Sequence, residues 1–132
     1  MGMPLAAANS QVVAVDTHIV LVPTPGGPVP VPLPHPHMGT IDGNTVATVK
    51  VAGQPAAVVG STSTNTPSHI PTPPGASFQK PPSNSGSVFM GSFTVKIGGK
   101  FAARSGDPVT TCNDPTDIPV GQVIAFGTVM VG

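Results

Sequence analysis

The stretch TVKVAGQPAAVVGSTSTNTPSH (residues 48–69) is nearly repeated later in the chain as TVKIGGKFAARSGDPVTTC (94–112). Both copies read as a short strand, a tight glycine turn and then the pattern x-x-Ala-Ala-x-x-Gly. When the alanine pairs are aligned with a short gap, His69 falls opposite Cys112. Self-similarity of this kind predicts a structural repeat in which each copy packs against its neighbours.

A third copy is split across the two ends of the chain. The tail FGTVMVG (126–132) resembles the strand that opens each copy, and the head MPLAAANSQ (3–11) resembles the part that follows. Joined tail to head, they give a third copy that ends at His18. Three segments that begin Gly-x-Ile or Gly-x-Val also recur, at 39–43, 86–91 and 121–127. We therefore predict a single all-β domain over residues 1–132, with three quasi-repeats of short strands, pseudo-threefold symmetry and closure by pairing of the termini.

The composition indicates a domain with a thin core. The chain has 18 Pro and 16 Gly, but 39% of its residues are hydrophobic and only 8% are charged, which argues against disorder. Aromatic residues are few, so the core must be built from Val, Ile and Ala. A single Cys excludes an internal disulfide, and a metal ion is the obvious alternative means of stabilising a small domain. The net charge of zero gives no basic patch for nucleic acid.

Five side chains are candidate metal ligands. The three copies end at His18, His69 and Cys112, one imidazole or thiol each. The proline-rich stretch PVPVPLPHPHMG (28–39) adds His35 and His37, which alternation along an extended chain places on the same side. Zinc favours four nitrogen and sulfur ligands, so we predict a site made of the three repeat ligands and either His35 or His37.

Simpler interpretations exist for each of these residues. From spacing alone the histidines would be surface residues and Cys112 a small buried hydrophobe; the repeat favours the metal site instead. The aspartates Asp16, Asp107, Asp114 and Asp117 could suggest a cation site, but turn formation is the expected role, since Asp107 follows Gly106 and Asp114 precedes Pro115. The Ser/Thr/Pro-rich segment 61–87 is either a flexible linker or an extended loop that carries His69 to the site, and its part from Phe78 to Ser85 is expected to be mobile or to reach a partner.

An enzyme is a weaker hypothesis. Cys112 with His69 would give a Cys-dependent hydrolase, but such a site needs a cleft and an activated thiol, and the sequence predicts no helix whose N-terminus would lower the thiol pKa. We predict no enzymatic activity. No signal peptide is expected either, because the first basic residue is Lys50 and Asp16 and His18 interrupt the apolar N-terminal run.

The repeats resemble those of the PAAR-repeat proteins, the tip proteins of contractile injection machines such as type VI secretion systems and phage-like particles. KFAARSGD (100–107) is similar to the Pro-Ala-Ala-Arg motif, with Phe101 in place of proline. QPAAVVGS (54–61) keeps Pro-Ala-Ala, and PLAAANS (4–10) is more degenerate. Segment 16–41 resembles the family's long first loop, so the resemblance covers nearly the whole chain.

The resemblance implies a small, pointed β domain whose flat base docks on a trimeric VgrG-type β-helical spike, one tip per trimer. Such a tip sharpens the spike, pierces a target membrane transiently, offers an attachment point for effector proteins, and holds zinc near its apex with three His and one Cys. Carried onto this sequence, the ligands are His18, His69, Cys112 and His35 or His37, with His35 favoured. The protein would be made in the cytoplasm and exported or released with the particle. The alternative is a free-standing zinc-binding or adhesin-like β domain of another secreted assembly.

Overall fold

The fold is that of a computed structural model, which describes residues 2–132. This part of the chain contains strands and turns but no helix, and accordingly no helical segment suited to span a membrane. The strands are Met3–Pro4 (β1), Gln11–Val22 (β2), Val29–Gly43 (β3), Val46–Val51 (β4), Gln54–Ala56 (β5), Thr62–Asn65 (β6), Ser77–Phe78 (β7), Ser85–Val88 (β8), Lys96–Ile97 (β9), Lys100–Phe101 (β10), Pro108–Thr111 (β11), Ile118–Ile124 (β12) and Met130–Val131 (β13).

Six strands form a closed antiparallel barrel. Their order is β12-β11-β8-β6-β3-β2, and the first three residues of β2 pair back onto β12 to close it. The short strand β7 adds to β2 further along, where Val20 lies opposite Phe78. Strands β2 and β3 are longer than the repeats predict, and they pair with each other over the whole length of β2. Their hairpin therefore extends well beyond the barrel.

Three small hairpins lie outside the barrel and correspond to the three repeats. They are β4–β5, β9–β10 and the pair formed by β13 and β1, in which Met3 lies opposite Val131. The first two turn through residues with positive φ, at Ala52-Gly53 and Gly98-Gly99. In the third hairpin the strands β13 and β1 come from opposite ends of the chain, so no turn joins them at that position. The predicted closure of the domain by its termini is thereby confirmed.

A ring of three hydrogen bonds joins the repeats at their alanine motifs. Ala6 N–H donates to the carbonyl of Ala103 (2.9 Å), Ala103 N–H to that of Ala57 (3.0 Å), and Ala57 N–H to that of Ala6 (3.0 Å). All three alanines are fully buried. We call this feature the alanine ring. It explains why the sequence repeats Ala at these positions, because a larger side chain would push the three strands apart.

The turns that follow the ring are also equivalent. Each contains a residue with positive φ, namely Asn9 (73°), Gly60 (93°) and Gly106 (91°). In each turn a side-chain oxygen accepts a hydrogen bond from the backbone N–H three residues earlier: Ser10 from Ala7, Ser61 from Val58, and Asp107 from Arg104. The predicted turn role of Asp107 is confirmed, and the predicted pseudo-threefold pattern extends to individual hydrogen bonds.

Two apolar clusters lie on either side of the ring. One fills the barrel and includes the three residues of the Gly-x-Ile/Val segments, Ile41, Val88 and Val123. The other lies among the three hairpins and includes Leu5, Ile97 and Val131. Most of their members are Val, Ile and Ala, as the composition predicts. The core is thin, and the barrel interior beyond it is polar.

The prolines of β3 occupy one side of the strand. Pro30, Pro32, Pro34 and Pro36 alternate with residues that face the interior, and all four are exposed. The backbone N–H and C=O of Met38 bond to Asn65 and Thr66, away from β2. Because residues two apart point their backbone groups the same way, the nitrogens of the four prolines also face away from β2. The missing N–H groups of these prolines therefore remove no hydrogen bond between β3 and β2.

Candidate metal centre

The six polar side chains of the site come from four separate parts of the fold. Asp16 and His18 point inward from β2, and His35 and His37 point inward from β3, where Asp16 lies directly opposite His35. His69 comes from the segment between β6 and β7. Cys112 follows the last residue of β11. Strand β2 passes from the barrel core to this site, so Asp16 lies about 13 Å beyond Val12 along the strand.

Four of these side chains form a compact group, which we call the donor group: Asp16, His37, His69 and Cys112. One possible ligand atom from each lies within 4.8 Å of all the others. Asp16 Oδ2 is at the centre, with His37 Nδ1 at 2.7 Å, His69 Nε2 at 2.8 Å and Cys112 Sγ at 3.4 Å. A buried carboxylate, two imidazoles and a thiol so close together could hold a metal ion.

His18 lies against the donor group. Its Nε2 is 3.7 Å from Cys112 Sγ, and its Nδ1 is 3.5 Å from a carboxylate oxygen of Asp114. His18 Nδ1 is buried without a hydrogen-bond partner. A carboxylate behind an imidazole is the arrangement that commonly orients a metal-ligating histidine.

His35 completes the surroundings of the group. Its Nδ1 is 3.0 Å from the carbonyl oxygen of Leu33, to which it can donate, which leaves Nε2 as the free nitrogen. The rings of His18, His35 and His69 contact one another, with centroid distances of 5.5, 4.9 and 5.7 Å. Phe78 covers two of them, at 5.7 Å from His18 and 5.4 Å from His35. Phe78, the first residue of the segment expected to be mobile or to reach a partner, thus packs its ring on the site.

The charges of the site favour a cation. Burial of the Asp16 carboxyl raises its pKa, but hydrogen bonds from the two histidines and Thr111 outweigh this and lower the pKa from 3.8 to about 2. Burial, and then the Asp16 charge, raise the pKa of the Cys112 thiol to about 11. Asp16 is thus an anion at neutral pH, whereas the thiol keeps its proton until a bound cation displaces it.

Burial also affects His18. Burial and then the neighbouring His69 ring lower the pKa of His18, so its imidazole is neutral at pH 7. A neutral imidazole is the form that binds metals. His18, as well as the donor group, is therefore chemically suited to a metal ion.

All five residues singled out by the sequence meet at this one place. His37, His69 and Cys112 belong to the donor group, and His18 and His35 pack beside it. Asp16, which we expected to form a turn, lies instead in the middle of β2 with its side chain fully buried. Asp114 lies in a bend over residues 114–116, as expected, and its carboxylate also accepts the N–H of Ile19 beside His18. The alternation Asp16-x-His18 could have revealed Asp16, since both residues face the same side of a strand.

No protein-family model matches the chain, and no curated protein matches it. The geometry of the molecule therefore carries the functional argument.

Proposed function

We propose that this chain is a structural tip that caps and sharpens the trimeric central spike of a contractile injection system and helps it pierce a target membrane. The observation that carries the proposal is the alanine ring. A single chain with three equivalent sectors matches a partner with threefold symmetry, as a spike trimer would require. The low proportion of charged residues, 8%, also suits a body that has to pass through lipid.

The three hairpins provide a suitable docking surface. Each is a two-stranded sheet in the described part of the chain, so its outer edge can accept another strand from a partner. Large apolar side chains are exposed on and beside them: Met3, Val49, Phe89, Met90, Phe93, Phe101, Phe126, Val129 and Met130. Exposed apolar surface of this extent is typical of an interaction site. One tip per trimer is the stoichiometry that the threefold pattern supports.

We propose zinc as the ion of the metal centre. Imidazole nitrogen and thiolate sulfur together favour zinc over the harder cations Mg²⁺ and Ca²⁺. The ion would join β2, β3, β11 and the segment that carries His69. Because structural zinc contributes about 10 kcal/mol or more in small domains, it would compensate for a thin apolar core.

Two ligand sets compete, and they share His69 and Cys112. The first is the donor group, with Asp16 and His37. The second takes His18 and His35, as the resemblance implies, and leaves Asp16 as the group that accepts hydrogen bonds from the other imidazoles. His18 and His35 each have one ring nitrogen facing an acceptor and the other directed away from it. His37 has the same pattern, with Nδ1 on Asp16 and Nε2 buried without a partner, so the imidazole orientations fit either set.

A role of Cys112 as a catalytic nucleophile has less support. The side chain is 3% exposed and its pKa is raised, whereas a reactive thiol is accessible and has a lowered pKa. The free-standing zinc-binding or adhesin-like domain remains the second candidate, because the same metal centre would serve it.

Metal content tests the first part of the proposal. Mass spectrometry of the natively purified protein should give about one zinc per chain, lost in Cys112→Ala. His35→Ala beside His37→Ala separates the two ligand sets, and Asp16→Asn tests the carboxylate. Absence of metal, together with an unchanged melting temperature in chelator, would refute the zinc centre.

Association with a spike tests the second part. The full chain, mixed with a trimeric VgrG-type spike, should give a stable complex of one chain per trimer in light scattering. Phe93→Asp, in the bend that precedes β9, and Met130→Asp, in β13, change exposed positions and should abolish the complex without loss of metal. A chain that binds zinc but never associates with a trimeric spike would support the free-standing domain instead.

A further inference from the structure

A pocket of about 290 Å³ adjoins the metal centre on one side. It lies between β3 and the segment 66–72, and His35 and His69 form part of its wall. The other four polar side chains of the site, including Asp16 and Cys112, do not line the pocket. The pocket therefore reaches the donor group through His69, which belongs to both.

The remaining wall of the pocket is mainly apolar, with four uncharged polar residues, Asn65, Thr66, Ser68 and Thr72. Pro34 and Pro36 lie on one side, Pro67 and Ile70 on the other, and Met38 closes one end. None of the described residues that line it is an aspartate, glutamate, lysine or arginine. Its volume lies at the lower end of the range for small-molecule pockets, about 300–1,000 Å³, so the occupant has to be small. The walls favour an uncharged, flat, apolar occupant.

The inner wall can open without disturbing the barrel. The segment that carries His69 lies outside every strand, and the backbone N–H of His69 is held by the side chain of Asn84 (2.8 Å). His35 Nε2 has only a long contact of 3.4 Å to Thr72 Oγ1. Rotation of either imidazole toward the pocket breaks side-chain contacts but no ladder hydrogen bond.

We propose that this pocket is a binding site for a small uncharged molecule, apolar and flat, that carries a metal-binding nitrogen or sulfur, and that the ion of the metal centre exchanges through it. The exchange rests on the zinc centre proposed above; the binding of the small molecule does not. An occupant placed against His35 and His69 would take the ion as His69, joined by His35 in the second ligand set, releases it. A multiply charged chelator would be excluded by the uncharged, apolar walls and would collect only ions that have already left.

Two isomers of phenanthroline test the site. The 1,10 isomer chelates zinc, and the 1,7 isomer has the same shape but cannot chelate. With the zinc-loaded full chain, we expect the rate of zinc removal by 1,10-phenanthroline to saturate with concentration, and the 1,7 isomer to inhibit it competitively. Removal by EDTA should be slower and independent of EDTA concentration.

A substitution in the pocket gives the matched test. Ser68→Trp, which narrows the pocket, should slow zinc removal by 1,10-phenanthroline roughly tenfold, whereas Val120→Trp on the exposed face of β12 should not.

The outcomes separate the two proposals. If the chain binds no zinc, the metal centre is refuted, and titration of the 1,7 isomer by nuclear magnetic resonance still tests the pocket through shifts at Ile70 and Met38. Failure of the 1,7 isomer to shift these residues overturns the site. Zinc removal that rises linearly with 1,10-phenanthroline, equally in Ser68→Trp and Val120→Trp, overturns exchange through the pocket while leaving the zinc centre intact.

Discussion

Three glycines at equivalent positions of the barrel should be intolerant of even one added methyl group, and to different degrees. Gly39, Gly86 and Gly121 open the three Gly-x-Ile/Val segments, and their φ angles are ordinary. Glycine is required there by lack of space. A Cβ at Gly39 would lie 2.7 Å from the backbone oxygen of Thr64 and 3.3 Å from Nε2 of His37.

The magnitudes follow from what each Cβ would meet. At Gly39 the obstacle is backbone, which cannot rotate away, so we expect Gly39→Ala to cost about 3 kcal/mol, the upper end of overpacking costs. At Gly86 the closest atom is the Ser63 hydroxyl oxygen at 2.7 Å, which can turn aside, and we expect about 2 kcal/mol. At Gly121 the closest atom is a methyl of Thr111 at 3.0 Å, and we expect about 1 kcal/mol.

Equilibrium unfolding in urea, with zinc held at the same free concentration, measures these differences. Gly26→Ala is the matched control, since its nearest atom is 4.0 Å away and its φ is not positive. It should be neutral or stabilise by a few tenths of a kcal/mol, because alanine restricts the unfolded chain. If Gly39→Ala unfolds at the same urea concentration as Gly26→Ala, the reasoning from packing is wrong.

Three further predictions concern the repeats and the site. Asp107→Ala should lower the free energy of unfolding by about 1–2 kcal/mol in thermal unfolding, because it leaves the N–H of Arg104 without its acceptor. Asp107→Ser should recover most of this loss, since serine occupies the same position in the other two turns, and equal effects of the two variants would contradict the equivalence of the three turns. Asn84→Ala should weaken zinc roughly tenfold in competition with a fluorescent chelator by freeing the backbone of His69, and an unchanged affinity would show that this hydrogen bond does not hold the ligand. A circular permutant that joins Gly132 to Gly2 and has its new ends at Ala52-Gly53 should keep its circular dichroism spectrum and its zinc. A permutant with its new ends inside β3 should lose both. If neither permutant folds, the three hairpins are not equivalent.

The repeats made much of the fold predictable. The alanine pairs and the glycine that follows them mark the ring and its turns, because only small side chains fit where three strands meet, and only glycine or asparagine readily adopts the positive φ that comes next. Strand lengths were less predictable. The copy at 94–112 was expected to open with a strand before its glycine turn, but only Lys96–Ile97 of it pairs, whereas the equivalent strand β4 has six residues.

Five of the six side chains of the site were predictable, but Asp16 and the arrangement were not. The repeat brought His18, His69 and Cys112 to one place, and strand alternation put His35 and His37 on one face, as the structure has them. The central position of Asp16 depends on the register of β2 against β3, which places it opposite His35. A single sequence does not fix a register, because shifting it by two residues keeps every inward side chain inward.

The alternating prolines of β3 have a consequence for how copies of the protein meet. Along its outer side from residue 30 to 36, this strand offers carbonyl acceptors but no N–H donors. A free strand of another molecule needs both to form a ladder, so crowding should not join copies through this long exposed strand. The same residues that stiffen the chain around two histidines thus keep an extended hairpin from seeding fibrils at high concentration.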